Sequence, residues 1–184
     1  APTISASNNG GTIKIENVKV QNSTGGGVDI SNHRGAVEIK YLTVPVSGAS
    51  AVRVDNTAAS GNVSIFSASI IDATNYGLQI TTNGSLTLDG LFVFSNTAGG
   101  ANLIAKKGVT IRNSIFNENG FGVYIQPTTR GAVLLSSVWA QSSTSGDNLN
   151  INTSAGAVTL ENIHASYSAS GYGIFIDNCM DGGT

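Results

Sequence analysis

Two histidines, one cysteine and eleven carboxylates are the side chains here best suited to acid–base, nucleophilic or metal chemistry. Carboxylates that cleave a sugar linkage work as a pair flanking the bond, and a Ca²⁺ ion gathers six to eight oxygens, so either chemistry needs acidic groups brought together. His33 and His164 fall near opposite ends of the chain, and each reads as a solvated histidine. Cys179 is alone, which excludes an intrachain disulfide and a cysteine-based metal cage. It reads as a half-buried turn cysteine rather than a reactive thiol. Serine and threonine are plentiful, but no Gly-x-Ser-x-Gly elbow presents one of them as a nucleophile.

Composition narrows the classes further. Only 11% of the 184 residues are charged, the net charge is −2, and the basic residues never run beyond the pair Lys106–Lys107. That removes the basic footprint a nucleic-acid partner requires. No apolar run approaches the roughly 18 residues of a membrane helix. No charged-then-apolar leader opens the chain, so a secreted form is expected to be already processed. The many Gly, Ser, Thr and Asn residues disfavour long helices and favour short strands joined by tight turns. That composition is common on bacterial surfaces and points to an extracellular or cell-surface location.

The elements that must position these residues emerge from a repeat. A Gly followed by two apolar residues spaced two apart recurs at Gly11, Gly35, Gly61, Gly84, Gly108, Gly131 and Gly156, with 23 to 26 residues between successive anchors. Each anchor pair, such as Ile13/Ile15 or Val133/Leu135, is followed by a two-residue break and a second alternating pair, such as Val18/Val20 or Val138/Ala140. A third pair closes each coil: Val28/Ile30, Val52/Val54, Leu78/Ile80, Leu103/Ala105, Val123/Ile125, Leu149/Ile151 and Ile174/Ile176. Period-two alternation turns one face of each run inward.

One coil cannot bury its apolar face, but coils stacked about 4.8 Å apart form parallel sheets around a continuous core. The expected fold is all-β, a single parallel β-helix domain over residues 1–184, with about seven coils of three short strands. The rod would be roughly 34 Å long. The second residue of the first break is Asn17, Tyr41, Ser67, Gly90, Asn113, Ser137 or Asn162; four of these seven, the Asn and Gly residues, suit a left-handed bend without strain. The other two turns read as variable loops, with Gly25–Gly27 and Gly99–Gly100 as turn punctuation.

This register assigns the outward residues. Lys14 faces Glu38 on the next rung, Glu16 faces Lys40, Asp29 faces Arg53, and Asp89 faces Arg112, using eight of the twenty charged side chains. Such cross-strand pairs contribute about 0.2–1 kcal/mol each and help fix register. The remaining acids, Asp55, Asp72, Glu118, Asp147, Glu161, Asp177 and Asp181, are dispersed and form no convincing dyad. Asp177 and Asp181 are the nearest approach to a Ca²⁺ site, but the segment reads as a frayed terminus. No metal, cofactor or catalytic residue is therefore assigned.

One outward column differs. Along the second strand it runs Lys19, Thr43, Ser69, Phe92, Ile115, Trp139, His164, with Phe94 beside it. Phe92, Phe94, Ile115 and Trp139 are the candidate ligand- or partner-contact residues, because stacked aromatics on a flat sheet can dock sugar rings or another protein. The alternative is a third-turn loop folded over them.

The stretches GVTIRNSIFNENGFGVYI at 108–125 and GAVTLENIHASYSASGYGIFI at 156–176 resemble the right-handed parallel β-helix repeat proteins. Pectate lyases, polygalacturonases and many secreted bacterial surface proteins share that fold. The resemblance covers essentially the whole chain and implies a right-handed coil, in which Asn17, Asn113 and Asn162 look like the asparagines of the family's short turn. The paired aspartates and Gly-His-Gly of polygalacturonases and the Arg-rich signatures of pectate lyases are absent. The scaffold hosts enzymes, adhesins and passengers alike. The expected function is thus a non-catalytic extracellular scaffold, adhesin-like or self-associating through open β-helix ends, either as part of a longer solenoid or as a fibre subunit. The alternative is a carbohydrate-binding or polysaccharide-active protein.

Overall fold

Short alternating runs punctuated by small residues form strands too brief to stand alone, and the chain satisfies their backbone groups by stacking. The computed structural model describes residues 1–7, 10–126, 131–153 and 156–178. It contains seventeen strands, all paired in parallel, and no helix among the described residues.

Eight strands stack in chain order as one sheet: β1 (Ile4–Ser7), β3 (Val28–Ser31), β5 (Val52–Asn56), β8 (Tyr76–Thr82), β11 (Gly99–Ala105), β13 (Val123–Ile125), β15 (Leu149–Asn152) and β17 (Ile174–Asp177). The other sheet is built from β2 (Ile13–Lys19), β4 (Val37–Val44), β6 (Val63–Phe66), β7 (Ser69–Ile71), β9 (Leu86–Asp89), β10 (Phe92–Phe94), β12 (Val109–Asn117), β14 (Val133–Gln141) and β16 (Val158–Ser166). Here β4 pairs with both β6 and β7, and β12 with both β9 and β10, so each of those couples is one broken rung and the sheet has seven rungs. The expected first and second strands of a coil are thus two arms of one bent strand.

The bend lies where the break was read. Asn17, Tyr41, Ser67, Gly90, Asn113, Ser137 and Asn162 all have positive φ, between 48° and 68°. Tyr41, Ser67 and Ser137 adopt it as well as the four permissive residues. Ladder hydrogen bonds hold the conformation, as in Ser67 N–H to the Asp89 carbonyl at 2.9 Å and Gly90 N–H to the Arg112 carbonyl at 3.1 Å. A second left-handed column, invisible in the repeat, comprises Asn22, Asp72, Ser95, Glu118, Ser142 and Tyr167. Val46 occupies that place in the second coil, after Pro45, and keeps negative φ, as a β-branched residue should.

Inward columns run without interruption through the rod. Ile30, Val54, Ile80, Leu103, Ile125, Ile151 and Ile176 are partners on successive rungs, as are Ile15, Ile39, Ile65, Leu88, Ile111, Leu135 and Leu160. In the fourth coil the third pair is Ala101/Leu103, not Leu103/Ala105, because Ala101 aligns with Leu78 and Val123. A slip of two residues keeps the same face inward, which is why alternation alone did not expose it. Gly99 and Gly100 are strand residues: a Cβ on Gly99 would lie 2.5 Å from the Phe121 ring, and one on Gly100 would lie 2.5 Å from the Gly122 carbonyl oxygen.

Buried polar side chains pair along the stack. Asn96 Nδ2 donates to Asn119 Oδ1 at 2.8 Å, Asn119 Oδ1 also accepts from Asn96 N–H at 2.9 Å, and Asn119 Nδ2 donates to the Val93 carbonyl at 3.1 Å. Outside, Lys14 and Glu38 approach to 3.8 Å, Lys40 and Glu16 to 4.0 Å, and Arg53 and Asp29 to 3.0 Å. Lys40 also bridges to Glu38 on its own strand. The fourth expected pair fails. Arg112 does sit opposite Asp89, but Asp89 Oδ1 accepts from Asn113 Nδ2 at 2.9 Å, a shorter and stiffer partner at the bend.

Two measurements test this register. Asn119→Ala leaves the Asn96 backbone N–H without its acceptor, while Asn96 Nδ2 keeps only the Phe94 carbonyl, and should lower stability by about 2–3 kcal/mol in urea unfolding; a loss near zero would mean the amide ladder is not formed. The hydrogen bond that the Lys40 ammonium donates to the Glu38 carboxylate holds the Glu38 carboxyl below the ordinary carboxylate range and Lys40 above its ordinary value. The Glu38 contribution is complete above the ordinary carboxylate pKa and is lost as pH falls through its depressed value, while that of Lys40 is lost as pH rises through its elevated one. Lys40→Met should therefore move the Glu38 carboxyl titration upward in a ¹³C NMR experiment. An unmoved midpoint would show that the contact does not persist in solution.

Candidate functional site

The outward column of the second arm is set by the same pairing that fills the core. Phe92 pairs with Ile115, Ile115 with Trp139, and Trp139 with His164, so four side chains stand one above another on adjacent rungs. With about 4.8 Å per rung, Phe92 and Trp139 are about 10 Å apart along the rod. Trp139 is 52% exposed and Phe92 40%, while Ile115 and Phe94 are half-buried between their neighbours. The rings of Phe92 and Phe94 lie nearly parallel with centroids 5.9 Å apart, and Trp139 leans on the His164 imidazole at 5.5 Å. Among the described residues, no loop covers Phe92 or Trp139.

Two residues further along each strand lies a parallel column that the sequence reading did not follow. Phe94 pairs with Asn117, Asn117 with Gln141, and Gln141 with Ser166. An aromatic column thus runs beside one of amides and a hydroxyl, and Asn117 Oδ1 has no hydrogen-bond partner among the described residues. Extending the outward count by two from the Phe92 column would have revealed it.

The groups able to do covalent chemistry are otherwise engaged or apart. Ser166 Oγ and His164 Nε2 are 3.0 Å apart. No carboxylate hydrogen-bonds the other ring nitrogen among the described residues, so nothing orients the imidazole as a base. His33 is fully buried rather than solvated: its Nε2 lies 3.3 Å from the Ala36 carbonyl in the turn between β3 and β4. Asp147 accepts from Tyr172 N–H at 2.6 Å and from Asn150 Nδ2 at 2.7 Å, and Asp55 accepts from Thr57 N–H at 3.2 Å and Thr57 Oγ1 at 2.7 Å. These carboxylates tie loops to strands. No group of three or more His, Cys, Asp or Glu able to hold a metal occurs among the described residues. Cys179 and Asp181 lie outside the described residues, and with them the calcium-site candidate. What the outer face offers is a flat apolar platform with hydrogen-bonding groups at its side.

Comparison with curated proteins and with solved structures finds no match for this chain. A family model described as "right handed beta helix region" matches residues 3–146, more than three quarters of the chain. The match spans the anchors of six coils, and the structure continues their register through a seventh. On that match and that architecture, the chain belongs to the right-handed β-helix family.

Proposed function

We propose that this protein is a non-catalytic, extracellular structural and interaction module. It is a stiff rod that presents the Phe92–Ile115–Trp139 column to a partner and associates with further β-helix coils through its end rungs. The observation that carries the reading is the exposure of Trp139 and Phe92 on one straight column of a flat sheet, since large exposed apolar patches mark interaction surfaces. The outward charges support it, because those paired across rungs serve register rather than a reaction centre. The last rung supports self-association: among the described residues β16 and β17 are each paired on one side only, and Ile174 and Ile176 are 41% and 45% exposed. In sedimentation velocity the protein should form larger species as concentration rises, and Ile176→Asp should suppress them. A strict monomer at every concentration, with isolated particles in electron micrographs, would remove the self-association part.

The column of Asn117, Gln141 and Ser166 beside the aromatics favours a second reading, a carbohydrate-binding protein. Sugar rings stack an apolar face on aromatics and hydrogen-bond at their edges. Trp139→Ala should then abolish retention on a panel of immobilised polysaccharides; an unchanged profile would take away its main support.

A further inference from the structure

A recess lies on the same face, over the second to fourth rungs, ending on Phe92 of the aromatic strip, and it owes its shape to missing side chains. In the second, third and fourth rungs the bend column reads Tyr41, Ser67, Gly90, and the outward column beside it reads Thr43, Ser69, Phe92. Two aromatics therefore stand at opposite corners of a two-by-three array, with four small residues between them. The result is a trench of about 380 Å³ lined by these six residues and by Leu42 and Ala68. That volume is at the small end of ligand sites.

The fold does not require Gly90. Its φ of +68° is close to the 48–56° adopted by Asn, Tyr and Ser at the other six bends. A Cβ built there would meet Ser67 Oγ at 3.5 Å, an ordinary contact. Most of the other glycines do the reverse: a Cβ on Gly35 or Gly61 would approach a carbonyl oxygen of the neighbouring rung to 2.0 Å. What Gly90 provides is space. Tyr41, 60% exposed, and Phe92 wall that space. The hydroxyls of Thr43, Ser67 and Ser69 have no hydrogen-bond partner among the described residues. No charged side chain lines the trench.

We propose that this trench binds a ring of an uncharged glycan, the ring's apolar face on Tyr41 or Phe92 and its hydroxyls on Thr43, Ser67 and Ser69. Hydroxyls both donate and accept, so they match ligand hydroxyls of either polarity, while the lack of a cation in the lining disfavours a uronate. The proposal rests on the carbohydrate reading above and locates a site apart from Trp139. It also accounts for the polar half of the outward column, where Thr43 and Ser69 precede the apolar half.

The test uses the intact chain on soluble neutral oligosaccharides, on polyuronates and on an aromatic-rich peptide, read by NMR shifts and by affinity. Two variants address the trench. Ser67→Tyr fills it at a bend where Tyr41 already shows that tyrosine fits, and Tyr41→Ala removes a wall; circular dichroism checks that both keep the fold. The wild type should bind a neutral oligosaccharide with shifts centred on Thr43, Ser67 and Ser69, and each variant should weaken it at least about tenfold, the scale of one lost aromatic contact. Wild-type affinity in both variants would overturn the trench; if Trp139→Ala then loses binding, the carbohydrate reading survives on the strip alone. No neutral glycan bound by the wild type overturns both, and binding of polyuronate or peptide alone overturns the proposal.

Discussion

The parallel backbone ladder between rungs, kept in one register through a left-handed bend in every coil and a second in all but one, governs the rest of this structure. A strand of three to nine residues cannot satisfy its own N–H and C=O groups or bury its apolar face, and here both needs are met by the coil above and the coil below. The first bend must recur at the same residue in every coil, or the inward columns would lose alignment. It does so at all seven positions, even where tyrosine or serine must enter a region that favours glycine and asparagine. The local strain at Tyr41 or Ser137 is small beside a ladder that would otherwise shift along its whole length.

Once the inward columns are set, the outward surface follows. Side chains stand in straight files about 4.8 Å apart, and like neighbours accumulate. On the first arm the files hold alternating charges, with Lys40 reaching Glu16, Glu38 and the face of the Phe66 ring. On the second arm they hold Phe92, Ile115 and Trp139. A flat file of this kind lacks the depth to exclude water from a reaction, but it suits contact with something equally extended. The same geometry explains why the buried polar groups sit at the turns: Asn96 and Asn119 satisfy backbone groups where the ladder leaves them exposed by a change of direction.

The anchors and the first bend were legible in the sequence because each is a periodic signal, reinforced seven times, and the register they set exposed the three consecutive apolar residues Phe92, Ile115 and Trp139 of the outward file. What escaped notice was local. Ala101 instead of Ala105 completes a pair because glycines 99 and 100, read as a turn, are strand residues, Gly99 against the Phe121 ring and Gly100 against the Gly122 carbonyl. His33 is buried because the turn after β3 folds inward, which its residue type does not reveal. Arg112 loses Asp89 to its own neighbour Asn113, whose amide at the bend reaches the same carboxylate across the rungs. The trench escaped because it is defined by an absence, a glycine that no backbone constraint requires.

The broken rungs carry a further meaning. β6/β7 and β9/β10 are the two rungs of this sheet whose arms are separate strands, and they lie between the ion-paired first coils and the long unbroken strands from β12 onward. Because every coil is one step along the rod, gain or loss of a whole coil at this seam would slide the ion-paired first coils relative to Trp139 by a rung while leaving the Asp29–Arg53 pair and the Ile115–Trp139 stack each in its own surroundings. The chain is in that sense a ruler with movable marks, on which the distance between two contact points can be reset in increments of a single strand spacing without redesigning either.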